Sequence, residues 1–347
     1  MRILVIGGTG FIGPDVVTRL TGMGHEIALF HRGQTKADLP SGVEHILGNR
    51  RQLVDFVNEF KRFAPQVVLD MIPVTEQDAQ TVMTMFKGIA RQVIAVSSQD
   101  VYRAYGKLIR IESGPAEPIP LTEDAPLRQR LYPYRGSTPR DQDDQKRWMD
   151  DYDKISIERV VMGDADLPGT ILRLPMVYGP RDKQHRLFEY LKRMDDNRPA
   201  ILLDEGMARW RWTRGYVTNV AAAIASAVTD ERSLGRIYNV GEVEALTVAE
   251  WVRKIGQAAQ WNGKVVLVPQ DRLPTHLTTD IDTAQHLVVD TFRIRKELGY
   301  DEPMFQDEAL RQTVSWERAH PPDRIDPKQF DYAAEDRALA GLGEYGR

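Results

Sequence analysis

The chain opens Met1-Arg2-Ile3-Leu4-Val5-Ile6-Gly7-Gly8-Thr9-Gly10-Phe11-Ile12-Gly13, an apolar β-branched run that passes directly into four glycines and then into a helix-forming stretch. Ile3 to Ile6 suits a buried parallel strand, which is apolar on both faces. Gly7 can take the sharp turn, and Gly10 lets backbone N–H groups approach a pyrophosphate. Gly13 lets the next helix pack against the strand with its positive end toward the phosphates. A glycine triplet alone is weak evidence. The strand before it and the helix after it, Asp15 to Thr21 ending at Gly22 and Gly24, supply the context the motif requires. The stretch predicts a dinucleotide cradle formed by Gly7, Thr9, Gly10, Phe11, Ile12 and Gly13.

Strand-like and helix-like segments continue to alternate: strands at 26–30, 67–70 and 92–97, with helices around 53–63 and 76–89. That order predicts βαβ units in an α/β, Rossmann-type doubly wound parallel sheet. Residues 103–140, rich in Pro, Gly and Arg, read as a long loop over the carboxyl edge of the sheet, where substrate sites form. A polar helix is expected over 141–162 and a strand over 169–174. The chain then leaves the core and returns with a helix at 216–228 and a strand at 236–240. The predicted organisation is a nucleotide-binding domain from 1–180 with 216–242, a smaller mixed substrate lobe from 181–215 with 243–324, and a charged, Gly/Ala-rich tail over 325–347 that is surface-draped or partly ordered.

The 347 residues suffice for such an arrangement, and 42% hydrophobic with 28% charged residues is ordinary for a folded globular protein. No apolar run approaches the ~20 residues that span a bilayer. Lys and Arg total 46 against 50 Asp and Glu, so a general phosphate-neutralising surface for nucleic acid is not expected. The chain has no cysteine, which excludes disulfides and thiolate chemistry, and it starts in a core strand without a signal-peptide pattern. A cytoplasmic location is the expectation. The seven histidines show no metal-ligand spacing, and no metal is predicted.

Five further segments, in order, resemble the extended short-chain dehydrogenase/reductase superfamily, specifically the NAD-dependent epimerase/dehydratase family. They are Ser97-Ser98-Gln99-Asp100-Val101-Tyr102, Arg173 to Pro180, Arg214 to Val220, Tyr238-Asn239-Val240-Gly241, and Asp290 to Tyr300. The resemblance implies a nicotinamide coenzyme in the cleft, with Pro175 beside the nicotinamide, and often a nucleotide-activated sugar as substrate. It also suggests a homodimer built on two helices per subunit, one of them carrying Lys154.

Cofactor choice turns on the end of the second strand, Phe30-His31-Arg32-Gly33. A site for NAD usually has a carboxylate here for the ribose 2′-OH, whereas an Arg accommodates a 2′-phosphate. His31 stands where the acid is expected, and Arg32 offers a planar fork suited to phosphate, so NADP is favoured over NAD. Asn49 aligns with the family's adenine-contacting Asp. Asp70 ends the fourth strand near the cofactor, an unusual place for an acid.

Members of the family use a Ser or Thr, a Tyr, and a Lys four residues after the Tyr. Ser98 fits the first role. Lys154 fits the last because Glu158 then matches the Glu that follows, and this register puts Asp150 at the position of the tyrosine. Asp150 could move the proton, or Tyr102, Tyr132 or Tyr134 could be recruited. Tyr152 lies about 200° around a helix from Lys154 and would not share its face. In Arg209-Trp210-Arg211-Trp212-Thr213-Arg214, alternating cations and aromatics suit an anionic substrate, with His185, Arg209, Arg211 and Arg214 as candidate contacts. The reading is an NADP-dependent oxidoreductase, epimerase or dehydratase acting on a sugar-like, nucleotide-linked anionic small molecule. The alternative is a catalytically silent nucleotide- or RNA-binding protein on the same scaffold.

Overall fold

The computed structural model describes residues 1–342. Chain order begins β1 (Arg2–Ile6), α1 (Gly13–Gly22), β2 (Glu26–His31), β3 (Glu44–Leu47), α2 (Val57–Phe63), β4 (Val67–Asp70), α3 (Glu76–Phe86), β5 (Gln92–Ser98) and α4 (Arg103–Leu108). It continues with α5 (Lys154–Met162), β6 (Gly169–Leu174), β7 (Met176–Tyr178), α6 (Phe188–Asp195), β8 (Ala200–Asp204), α7 (Glu205–Arg209), β9 (Arg214–Tyr216) and α8 (Val217–Thr229). The last elements are β10 (Ile237–Asn239), α9 (Val248–Ala259), β11 (Lys264–Val268), α10 (Phe292–Leu298), α11 (Gln306–Ala319) and α12 (Tyr332–Gly341).

Seven strands form one sheet in the order β10-β6-β5-β4-β1-β2-β3, with every neighbour parallel. Successive residues of a strand face opposite sides, and here both sides are apolar. Ile3, Val5, Ile27, Leu29 and Leu69 pack on the face covered by α1 and α8, whereas Leu4, Ile6, Ala28, Phe30 and Val68 pack on the face covered by α2 and α3. Strand order reverses between β1 and β4, which opens a crevice beyond their carboxyl ends. Outside this sheet, β8 pairs with β11 and β7 with β9. The first of these pairs belongs to a smaller mixed lobe that includes α6, α7 and α9.

Three expectations change. The polar helix over 141–162 shortens to α5, because Asp153 takes an extended conformation and caps it, accepting from the N–H groups of Ile155 and Ser156. Asp favours caps and turns over helix interiors, and the preceding run is rich in it. The stretch 103–140 is a loop only after α4. The tail is built in rather than draped: α12 sets Ala338, Leu339 and Leu342 against the small core of β8 and β11, while 343–347 lie outside the described residues. No described helix is long and apolar enough to cross a membrane.

Candidate functional site

The glycine turn forms a cradle at the crevice. Gly7 sits at φ +85°, where a Cβ would also meet Ile72 at 2.5 Å; at Gly13 it would meet the Gly8 carbonyl group at 2.4 Å, while nothing lies within 4 Å of one at Gly10. Conformation demands glycine at 7, close packing of α1 on the turn demands it at 13, and at 10 the backbone borders open space. α1 has no side-chain cap, so its first N–H groups and positive end face this opening. A cavity of about 250 Å³ follows, walled by Gly7, Thr9, Gly10, His31, Arg32 and Arg50, among others. This space, bounded by the glycine turn, the open start of α1 and two arginines, fits the diphosphate of a dinucleotide. Phe11 and Ile12 complete the turn by packing against the core, and Pro175 follows β6 on the other side of the crevice.

At the end of β2, Arg32 is exposed on the cavity wall. His31 Nδ1 accepts from the N–H of Gly33 and its Nε2 pairs with His45 Nδ1 at 2.8 Å, which makes Nε2 the protonated nitrogen. Asn49 accepts from the N–H of Arg51 and caps the following turn; its neighbours Gly48 and Arg50, rather than Asn49, line the cavity. Asp70 is no direct wall of the cavity either. Its carboxylate is occupied by Arg50, whose Nη1 and Nη2 donate to it at 2.6 and 2.5 Å, and Arg50 Nε lies 2.9 Å from Asp78. The acid at this unusual place therefore holds a cation at the crevice. Arg50 was missed in the sequence because the two partners lie 20 residues apart and share no motif.

At the end of β5 a second group of side chains converges. Lys154 begins α5, and its Nζ donates to the carbonyl oxygens of Pro73 at 2.5 Å and Val96 at 3.0 Å. Burial brings its pKa down to about 8, even though Asp100 and Asp70 pull the other way. The Tyr152 ring stands 5.5 Å from that Nζ. Its hydroxyl donates to Asp100 Oδ2 at 2.8 Å and neighbours the Ser98 hydroxyl. Tyr134 also reaches Asp100 Oδ2, at 3.1 Å, and Tyr105 meets Tyr134 hydroxyl to hydroxyl at 3.0 Å. Desolvation raises the Asp100 pKa and, together with the Asp100 charge, lifts Tyr152 well above the ordinary phenol.

The structure corrects three candidates for this centre. Asp150 lies in a short turn before α5, not on its face; Arg140 and Arg147 pair with its carboxylate, and the Arg140 N–H above all holds its pKa low. Tyr102 is fully buried, donating to Asn239 Oδ1 at 2.7 Å and accepting from Arg173, and burial pushes its pKa up to about 12. Tyr132 turns its ring toward Arg135, leaving Tyr134 as the member of that pair that arrives. Tyr152, set aside on helical geometry, is present because residues 151–153 are not helical.

A larger cavity of about 620 Å³ opens in the smaller lobe. Trp210, Trp212, Trp251 and Phe188 give it aromatic walls, and Arg214, His185 and Lys183 give it cationic or polar ones. Arg214 is buried over the Trp251 ring at 4.5 Å; it donates to the Trp212 and Leu246 carbonyls but leaves a buried Nε without a partner, and burial lowers its pKa to about 10. His185 Nδ1 is held by Glu317 at 2.7 Å. Arg209 and Arg211 do not reach this cavity. α7 ends at Arg209, and the next residues alternate so that the tryptophans face inward while Arg209 is exposed and Arg211 donates to the Ala245 carbonyl. Ile325, Gln329 and Phe330 of the tail complete the wall. The only trace of them in the sequence is two apolar residues within a charged run. Lys183 lines both cavities.

Among known proteins, the chain is 26% identical to 2′-dehydrokanamycin reductase of Streptomyces kanamyceticus, covering 78% of this chain and 70% of the relative. It is 25% identical to UDP-N-acetyl-alpha-D-glucosaminuronate decarboxylase of Bacillus cytotoxicus over 91% of this chain and 98% of the relative. The fold matches UDP-glucose 4-epimerase of Thermotoga maritima, crystallised with UDP-glucose, with a TM-score of 0.66 at 19% identity over 92% and 99% of the two chains. UDP-glucuronic acid 4-epimerase of Bacillus cereus, in complex with UDP-glucuronic acid and NAD, gives a TM-score of 0.65 at 18% identity over 92% and 99%. The model of the NAD dependent epimerase/dehydratase family matches residues 3–241, which hold the glycine cradle, Ser98 and Lys154, and the chain belongs to that family.

Proposed function

We propose that the protein is a nicotinamide-dinucleotide-dependent oxidoreductase, epimerase or dehydratase acting on a nucleotide-linked sugar, with NADP preferred over NAD. The observation that carries this reading is the pairing of two cavities that share Lys183 in their walls: a glycine cradle suited to a diphosphate on one side, and an aromatic and cationic cavity suited to an anionic nucleotide on the other. Gly7, Thr9, Gly10 and Gly13 would hold the dinucleotide diphosphate, Arg32 its 2′-phosphate, and Lys154 the nicotinamide ribose. When bound, the nicotinamide accepts or returns a hydride at a sugar carbon. Ser98 would orient the sugar oxygen. Arg214, whose buried Nε lacks a partner, would bind the substrate phosphates, while Trp210, Trp212 and Phe330 would stack its apolar surfaces. The similar proteins named above, which by their names act on UDP-linked sugars or reduce 2′-dehydrokanamycin, support an enzyme of this class.

The test is direct. The purified protein is titrated with NADPH and NADH by nicotinamide fluorescence, then mixed with UDP-glucose, UDP-glucuronic acid and dTDP-glucose while nicotinamide absorbance and sugar products are followed. Binding of NADPH ahead of NADH, with conversion of at least one sugar, is expected. Failure to bind either dinucleotide would overturn the assignment.

A further inference from the structure

The acid–base centre lacks a tyrosine four residues before Lys154, where Asp150 stands tied up by two arginines. The space around Lys154 is nevertheless not without a phenol. Residues 151–153 are non-helical, with Asp153 extended at the cap of α5, and this places Tyr152 beside Ser98 and Lys154 from the direction of the loop rather than from the helix face. Its hydroxyl is 2.8 Å from one oxygen of Asp100, a side chain that is nine-tenths or more buried and whose other oxygen, Oδ1, has no hydrogen-bond partner. Buried carboxylates seldom leave an oxygen bare; here the vacancy is on the group that receives a proton donor already pointed at it.

We infer that Tyr152 is the proton-transferring residue of this enzyme and that Asp100 is its proton-holding partner. The inference rests on the function proposed above. The donor directions define the route. Tyr134 and Tyr152 both donate to Asp100 Oδ2, so Tyr105 donates to Tyr134, and the Tyr152 oxygen, which donates its own proton to Asp100 and stands beside the Ser98 hydroxyl, has a lone pair that can accept from a substrate hydroxyl. When that hydroxyl loses its proton, the Tyr152 oxygen takes it while the original phenolic proton passes to Asp100. The carboxylate becomes a neutral acid, the phenol stays neutral, and the substrate oxygen becomes a carbonyl oxygen as its carbon gives up a hydride to an oxidised nicotinamide dinucleotide. Reduction reverses each transfer. No free phenolate is needed, which suits a phenol beside a carboxylate and away from bulk water.

The groups around the pair are consistent with this arrangement. Arg128 is the charged side chain that most favours the Asp100 anion, its guanidinium donating to the Asp100 backbone oxygen rather than to the carboxylate. The Lys154 ammonium also favours that anion, from beyond the Tyr152 ring. Asp153, close to Arg128, is occupied in capping α5 and accepting from the Tyr132 N–H.

The experiment pairs turnover with spectroscopy. Tyr152→Phe should lower kcat on whichever of the three probe sugars the wild type converts by about 10²–10⁴-fold, the usual contribution of a positioned acid or base, with unchanged NADPH affinity. Asp100→Asn should lower kcat and change its pH profile. In the unliganded protein it should also move the ultraviolet titration of one phenol to lower pH, a shift that Tyr152→Phe removes. Tyr134→Phe, which removes the second donor to the same carboxylate, should move that phenol titration and alter the pH profile of kcat, and it serves if Asp100→Asn fails to fold. Wild-type turnover by Tyr152→Phe would overturn the inference. So would phenol titrations that neither the Asp100 nor the Tyr134 substitution moves. If the wild type binds no dinucleotide, the function proposed above falls, and the titration alone then decides whether Tyr152 and Asp100 form the pair.

Discussion

Arg193 of α6 and Glu335 of α12 form a buried ion pair, with Arg193 Nη2 donating to Glu335 at 2.7 Å and Nε at 3.1 Å. His276 Nε2 approaches the same carboxylate at 3.0 Å, and Arg193 Nη2 also donates to the Gln329 carbonyl. Gln329 and Phe330 line the lobe cavity, so this pair fixes the tail as part of the cavity wall.

Glu335→Ala leaves the Arg193 guanidinium buried and unpaired, and removal of one partner of such a pair costs about 3–5 kcal/mol. We expect that loss in chemical denaturation, together with faster proteolysis beyond Pro322. An apolar double substitution, Arg193→Met with Glu335→Leu, should recover most of the stability. A loss below about 1 kcal/mol for Glu335→Ala would mean that the tail is held by its apolar contacts alone.

Gly10→Ala and Gly13→Ala should separate folding from binding. At 13 the new methyl group meets the Gly8 backbone at 2.4 Å, which cannot move without opening the turn; we expect a destabilisation of about 1–3 kcal/mol in thermal or urea unfolding. At 10 the methyl group enters open space, so the melting temperature should hold. Nucleotide affinity should nevertheless fall by tenfold or more, about 1.4 kcal/mol, because the methyl group occupies the approach to the amides. Equal stability of the two variants would contradict the close packing of α1.

Arg32→Ala should weaken NADPH binding by about tenfold to a hundredfold, the range of one or two hydrogen bonds to a charged group, and leave NADH nearly unchanged. Because Arg32 is exposed, the preference should also shrink as salt is raised. Fluorescence titration of both coenzymes at two ionic strengths checks this. Parallel losses for the two would assign the 2′-phosphate to another group, with Arg50 the nearest candidate on the cavity wall.

Local signals made β1, the glycine turn and the alternation around them legible, since an apolar run and a glycine spacing are contained in a few consecutive residues. Ser98 and Lys154 were legible for the same reason. Tyr152 was not, because the helical-face argument presumed a helix already running at 152, whereas Asp153 starts it. The Arg50–Asp70 pair and the Arg193–Glu335 pair were hidden for a different reason: each is made by the fold from positions with no common period. The orientation of Trp210 and Trp212 followed the expected alternation, but which face met the cavity depended on β9 and α9, about which a hexapeptide holds no information.

Lys154 gives a pH signature that is independent of turnover. Burial lowers its pKa from 10.5 to about 8, so the folded state disfavours the ammonium relative to the unfolded chain. The resulting penalty is fully present below pH 8 and disappears as pH rises from about 8 through 10.5. For a shift of this size it amounts to about 3 kcal/mol. Lys154→Met lacks the titration but loses the hydrogen bonds to Pro73 and Val96, an offset that does not vary over this range. The stability of the variant relative to the wild type should therefore be most favourable near pH 7 and decline by up to about 3 kcal/mol toward pH 10.5. Urea unfolding of both proteins at pH 7, 8.5 and 10 measures it, and a difference that stays flat would show that the ammonium is solvated in the fold.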